Sequence, residues 1–153
     1  MSIFGGGSPR PMMPGLATKY PMWTEWSYLL LRVAAGLMLI PHVWPKLMIG
    51  PAAVAANVMA RRGVEPALAA AYVAIIVEVA GAVLITLGLF TRPMALILVV
   101  EFLVIAKTHL VGGGWGVSGG GAEYVVMWML VFLFIMCRGG GPYSLDAKLG
   151  REF

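Results

Sequence analysis

Four runs of apolar residues, at positions 26–49, 67–90, 94–111 and 122–137, limit what this chain can fold into more than any other feature. A helix of about 20 apolar residues crosses the roughly 30 Å hydrocarbon layer of a bilayer, and within that layer every backbone amide and carbonyl must find its partner inside the protein. Helices meet that condition one segment at a time. The runs therefore predict an all-α integral membrane protein, a four-helix bundle. Composition agrees: 60% of the 153 residues are hydrophobic and 12% charged, about half the charged share of a soluble globular domain.

The breaks between runs set the organisation. Pro41 and Pro45 interrupt the first run and predict a kinked span. The stretch after Gly50-Pro51 contains Arg61, Arg62, Gly63, Glu65 and Pro66, too polar to cross, and is expected to form a short helix at the interface. The second run stops at Thr91-Arg92-Pro93, a tight hairpin with proline in the first turn of the next helix. The third ends at residues 112–121, where seven of ten are glycine. That segment reads as a flexible lid or linker; it follows no strand and lacks the spacing of a phosphate or dinucleotide cradle. The fourth run is short for a span, a deficit that local bilayer thinning can cover. Residues 1–25, rich in Gly, Pro and Met and without the apolar core of a secretory signal, are expected to remain as an N-terminal tail. Residues 26–137 form the membrane domain and residues 138–153 a C-terminal tail.

The formal charge of +4 does not point to nucleic acid, because the Lys and Arg are scattered singly apart from Arg61 and Arg62. Topology accounts for them. An even number of spans puts both termini on one side, together with Arg10, Lys19, Arg92, Arg138, Lys148 and Arg151, against Arg61 and Arg62 on the other. Positive residues flanking spans stay in the cytoplasm, so both termini are expected there. Tyr20, Trp23, Trp26 and Tyr28 fit an aromatic belt at the inner interface, with Trp44 and Trp115 near the outer one. The single cysteine, Cys137, forms no internal disulfide and no Cys-based metal motif, and is expected to serve packing.

Ionisable residues inside the runs are the candidates for function, because a charge at the centre of a span costs roughly 2.5–3.5 kcal/mol on insertion scales and so faces the bundle interior with a partner. Arg32, Glu78 and Glu101 fall at depths where they are expected to meet as a buried charge network. That network serves either packing or a proton or ligand site. Ala74, Glu78, Gly81, Ile85 and Gly88 recur at three- and four-residue steps, which places Glu78 on a close-packed inner face. A second group gathers at the outer ends: His42 and Lys46 one turn apart, Lys107 and His109 leaving the third span, Glu123 and Tyr124 opening the fourth. Two histidines beside two lysines suit an acidic or carbonyl-bearing ligand. Haem or metal held by His42 and His109 is the sharper alternative, disfavoured by the adjacent lysines and the lack of a third ligand.

The sequence also resembles the DoxX family of small bacterial four-helix membrane proteins, over residues 28–148. The resemblance rests on Leu29-Leu30-Leu31-Arg32-Val33-Ala34-Ala35-Gly36, on Pro41-His42 and Pro45-Lys46-Leu47, and on Glu78 with Gly81. It continues through Leu87-Gly88-Leu89-Phe90-Thr91-Arg92, His109, Gly121-Ala122-Glu123-Tyr124 and the ending Gly139-Gly140-Gly141-Pro142-Tyr143-Ser144-Leu145-Asp146. Val43, where a small residue often follows the histidine, and the long Gly-rich loop depart from the usual pattern. The resemblance implies a bacterial inner-membrane protein linked to oxidoreductase chemistry, since one branch of the family looks like the membrane subunit of thiosulfate:quinone oxidoreductase.

On that reading the chain is a quinone-associated subunit. His42, Lys46 and His109 hydrogen-bond a quinone carbonyl, with Lys107, Glu123 and Tyr124 beside them, and Glu78 or Glu101 relays protons. No redox centre is encoded in the chain, so electrons come from a partner protein or a further cofactor, and activity as an enzyme on its own is left open. The other reading is a structural or accessory subunit of a larger respiratory or photosynthetic complex, its buried charges serving packing and its tail docking a partner.

Overall fold

Proline shapes the first span. A helix from Tyr20 to Leu37 (α2, Tyr20–Leu37) is followed after one residue by another (α3, Leu39–Ile49), the two preceded by a single turn (α1, Pro14–Ala17). Pro41 has no N–H to donate to the carbonyl of Leu37, and its ring crowds that carbonyl. The break therefore falls a turn before the proline. The computed structural model describes residues 12–116 and 121–151, so residues 1–11 of the expected N-terminal tail and residues 117–120 of the Gly-rich loop lie outside the described residues. The first span starts six residues earlier than the apolar run does, because Pro21 suits a first turn and the aromatic residues after it favour the interface.

Residues 51–62 form a turn of α-helix (α4, Pro51–Val54), a π turn (Ala55–Met59) and a 3-10 turn (Ala60–Arg62). Small side chains let the segment fold down onto the next helix (α5, Ala67–Leu87), burying Val54 and Ala55 with Val43, Ala71 and Ile75. After α5 come α6 (Thr91–Gly113), α7 (Glu123–Arg138) and a short α8 (Leu145–Leu149). The α2–α3 pair, α5 and α6 are each long and apolar enough to cross a membrane. At 16 residues, α7 reaches roughly 24 Å at 1.5 Å per residue, short of the full layer as its sequence indicates.

The α2–α3 pair packs on α5, α5 on α6 and α6 on α7, and α2 returns to touch α7. At the end of the bundle that carries the α5–α6 hairpin, one core joins all of them through Tyr28, Ala35, Ile85, Leu98, Phe132 and Ile135. Toward the opposite end it divides. Val43, Ala71 and Ile75 stay on the α3–α5 side, Ala106, Ala122 and Val125 on the α6–α7 side. The interior between the two clusters is open. The glycine segment joining α6 to α7 is closed at its base by backbone bonds from Gly121 to Gly116, Ala122 to Gly114 and Glu123 to Trp115.

The hairpin end is held by side chains far apart in sequence. Gly88 ends α5 at φ 68°, and the amide of Leu89 reaches back to Leu84 O at 3.0 Å, closing the helix through a left-handed residue. Phe90 and Thr91 then open α6 with no local capping side chain. Asp146, from the end of the chain, accepts from both amides, at 2.8 and 2.9 Å, and from the Thr91 hydroxyl at 2.7 Å. The segment read as a C-terminal tail is thus a packed part of the bundle. Tyr28 is buried there, donating to Gly139 O beneath the Arg138 guanidinium, and so does not belong to the aromatic belt; Tyr20, Trp23, Trp26, Trp44 and Trp115 are exposed. Cys137, expected as packing, faces outward.

Candidate functional site

Arg32 does not join Glu78 and Glu101. Its Nη1 donates to Ile85 O at 2.6 Å and Thr86 O at 2.8 Å, and its Nη2 to Tyr143 O at 2.9 Å. Ile85 lies seven residues beyond Glu78 on α5, roughly 10 Å along the helix axis. The long side chain is drawn to the carbonyls at the end of α5 and to Tyr143 O, across which a guanidinium forks and which a deeper carboxylate cannot outcompete. The expected three-charge network is corrected accordingly: Arg32 belongs to the hairpin clamp.

Glu78 pairs instead with Lys46, which the sequence places in the outer group. Lys46 on α3 reaches α5, where Glu78, 3% exposed, accepts from its ammonium. Glu101 on α6 lies within electrostatic reach of both. The cluster thus holds two carboxylates and one amine. Among the described residues, Glu78 Oε2, both oxygens of Glu101 and the indole Nε1 of Trp128 are buried without a hydrogen-bond partner. A buried polar atom left unpaired costs about 1–3 kcal/mol, more when charged, so four together in one place mark a position built for something other than stability.

These groups line one cavity of about 730 Å³ in the open half of the bundle. Its walls are largely apolar. His42, Lys46, Glu78, Glu101, His109 and Tyr124 all contribute to the lining, which unites most of the two sequence-derived groups. Val73 on α5 and Leu96, Ile97, Val100 and Val104 on α6 also line it, yet each is about half exposed on the outer surface of the bundle. The cavity therefore opens sideways between α5 and α6, toward lipid. His42 stands beside the Tyr124 ring, centroids 6.5 Å apart, and Tyr124 meets Trp128 edge-on at 6.2 Å. At the far end His109 Nε2 and Arg62 Nη1 lie 2.8 Å apart, tying the turn after α4 to α6.

Two expected site residues fall outside this lining. Lys107 is exposed on another face of α6, and Glu123 is exposed in the first turn of α7, where a carboxylate is favoured by the positive end of the helix dipole. Three lining residues with polar side-chain atoms that sequence reasoning did not assign to the site are Arg62, Thr108 and Trp128. Trp128 carried one signal, its position one turn after Tyr124 on the same helix face. Arg62 carried none, since its loop was read as surface.

The family model for DoxX matches residues 27–111. The chain belongs to the DoxX family. Over 127 residues it is 32% identical to the inner membrane protein YphA of Escherichia coli strain K12, an alignment covering 78% of this chain and 88% of YphA. A Haemophilus influenzae protein described as uncharacterized is 36% identical over 84 residues, 52% of this chain and 62% of that one. No solved structure matches. The DoxX match, the relative and the three spanning helices together make this a multi-pass inner-membrane protein. Within the DoxX match lie His42, Lys46, Glu78, Glu101 and His109; Tyr124 and Trp128, which complete the cavity wall, follow it.

Proposed function

We propose that this chain is a quinone-associated subunit of a membrane oxidoreductase system, taking an isoprenoid quinone from the bilayer into the cavity between α3, α5, α6 and α7. The observation that carries the reading is an apolar cavity, open to lipid between α5 and α6, with unpartnered buried polar atoms at its depth. Its volume lies within the range of about 300–1,000 Å³ usual for small-molecule sites. A quinone ring is flat and apolar with two polar oxygens at opposite edges, and its tail is as lipophilic as the bilayer. Trp128 Nε1 and Lys46 Nζ are donors for a ring oxygen, Tyr124 and Trp128 supply aromatic surface, and the tail leaves past Val73 and Leu96.

Reduction of a quinone takes two electrons and two protons. Glu78 and Glu101 are carboxyl groups beside the ring position that pass protons to the ring oxygens, and His42 and His109 lead toward the open end, from which those carboxyls are reprotonated. Electron delivery belongs to a partner protein in this reading, so the chain supplies the lipid-soluble side of the reaction.

The test is to purify the full chain in mild detergent, extract it with organic solvent and quantify quinone by chromatography. About one quinone per chain is expected, with marked loss in Trp128→Phe and His42→Ala variants that remain folded. Protein free of quinone but held in a larger complex would instead support the accessory-subunit reading.

A further inference from the structure

A second cavity, of about 320 Å³, lies at the hairpin end of the bundle, lined by residues between Arg138 at the end of α7 and Arg151 after α8. Its charged lining residues are Arg138, Asp146 and Arg151. Asp146 is not available to a ligand, because its two carboxylate oxygens accept from the Phe90 and Thr91 amides and from the Thr91 hydroxyl. The two guanidiniums remain open to one. Arg138 donates through Nη2 to Glu25 Oε2 at 2.6 Å and lies over the Tyr28 ring, yet 28% of its side chain is exposed. Arg151 is exposed, and among the described residues its side chain has no ion pair. Glu25 therefore balances one of the two cations, and the cavity keeps a positive charge.

The surroundings put this charge at the level of lipid headgroups. Trp26 stacks on Tyr143, ring centroids 5.0 Å apart, and both are about half exposed, as amphipathic aromatics are at a membrane interface. From Arg138 an apolar track runs back along α7. Phe134, Leu130 and Met127 precede it at helical spacing, share its helix face and are each about half exposed. The rise from Met127 to Arg138 is roughly 16 Å, close to half of the roughly 30 Å hydrocarbon layer and so to the depth of one leaflet.

We propose that this cavity holds the phosphate of an anionic glycerophospholipid, with Arg138 and Arg151 on the phosphate oxygens and the acyl chains along Phe134, Leu130 and Met127. A guanidinium presents paired N–H groups to phosphate oxygens, and basic pockets beside membrane helices take anionic headgroups. A zwitterionic lipid brings an ammonium as well, and the two nearby carboxylates, Asp146 and Glu25, are already engaged. The bound lipid lies against the segment that carries Asp146, so it supports the cap on α6. The site is separate from the quinone cavity, and neither reading depends on the other.

The experiment uses the full chain, purified in mild detergent, washed free of lipid and titrated separately with phosphatidylglycerol, phosphatidylcholine and glycerol 3-phosphate. Native mass spectrometry reads the bound lipid and thermal unfolding reads its effect. Phosphatidylglycerol is expected to raise the unfolding midpoint and leave one tightly held lipid per chain, with phosphatidylcholine bound severalfold more weakly and glycerol 3-phosphate giving no shift. Arg151→Gln, at an exposed position, should weaken phosphatidylglycerol about fivefold, the effect of one basic residue near an anionic lipid surface. Phosphatidylcholine bound as tightly as phosphatidylglycerol overturns the anionic assignment. A shift of equal size with glycerol 3-phosphate makes this a phosphate site and overturns the lipid. Unchanged phosphatidylglycerol binding in Arg151→Gln overturns the placement of the headgroup in this cavity.

Discussion

Asp146 caps a helix that begins 55 residues earlier in the chain: its Oδ2 accepts from the Thr91 amide at 2.9 Å and from the Thr91 hydroxyl at 2.7 Å, both groups buried. The amide of Asp146 in turn donates to Gly88 O at 2.9 Å, so a short segment closes both sides of the α5–α6 hairpin. A helix start without its own capping side chain is completed by the end of the chain. Replacing Asp146 with Ala removes three accepted bonds and should cost about 2–3 kcal/mol, the sum of a lost cap and lost charge-assisted bonds, with Asn retaining part of it. Thermal unfolding in detergent measures the difference.

Arg32 holds the same segment from the other side, through Ile85, Thr86 and Tyr143. Lysine keeps the charge but not the fork, and leaves at least one of these carbonyls unpaired. Arg32→Lys should lose about 2 kcal/mol and expose residues 139–151 to limited proteolysis, with Arg32→Ala losing more. Proteolysis at wild-type rates in both variants would remove Arg32 from the clamp.

Gly88 has no room for a side chain. A Cβ there would lie 2.5 Å from Ser144 Cβ and 2.7 Å from Arg32 Nη1, at a φ of 68° that already disfavours other residues. Gly63 has a similar φ of 67° with nothing within 4 Å. Gly88→Ala should therefore cost about 3 kcal/mol from conformation and overpacking together, and Gly63→Ala about 1 kcal/mol from conformation alone. Equal losses in the two variants would mean that the close approach of Ser144 and Arg32 contributes nothing.

The Lys46–Glu78 pair makes a non-additive prediction. Lys46→Met strands a carboxylate that is 3% exposed and should destabilise by about 3 kcal/mol, whereas Lys46→Met combined with Glu78→Gln should recover most of that loss. A double-mutant cycle on unfolding midpoints reads the coupling. Additive losses would show that the two side chains do not act as a pair.

Much of the bundle was legible in the chain because a bilayer imposes rules that are local in sequence. Length of an apolar run, proline and glycine breaks and the small-residue face of α5 each depend only on neighbouring residues, and Ala74, Glu78, Gly81 and Ile85 are buried together as their spacing implies. That buried ionisable groups would need partners was equally readable, since the cost of a charge in lipid does not depend on the fold. Which partners they found was not. Arg32 turned to helix-end carbonyls, Lys46 on α3 crossed to Glu78 on α5, and Asp146 came from a segment read as a tail to cap α6. Lys107 and Glu123 shared the depth of the other candidates but not their direction. Depth is set by counting along one helix; direction and partnership are set by how helices rotate and pack against each other. The apolar runs by themselves determined a helical membrane protein with ionisable groups inside, and only the tertiary structure decided which of those groups share a cavity, because that depends on contacts between residues far apart in the chain.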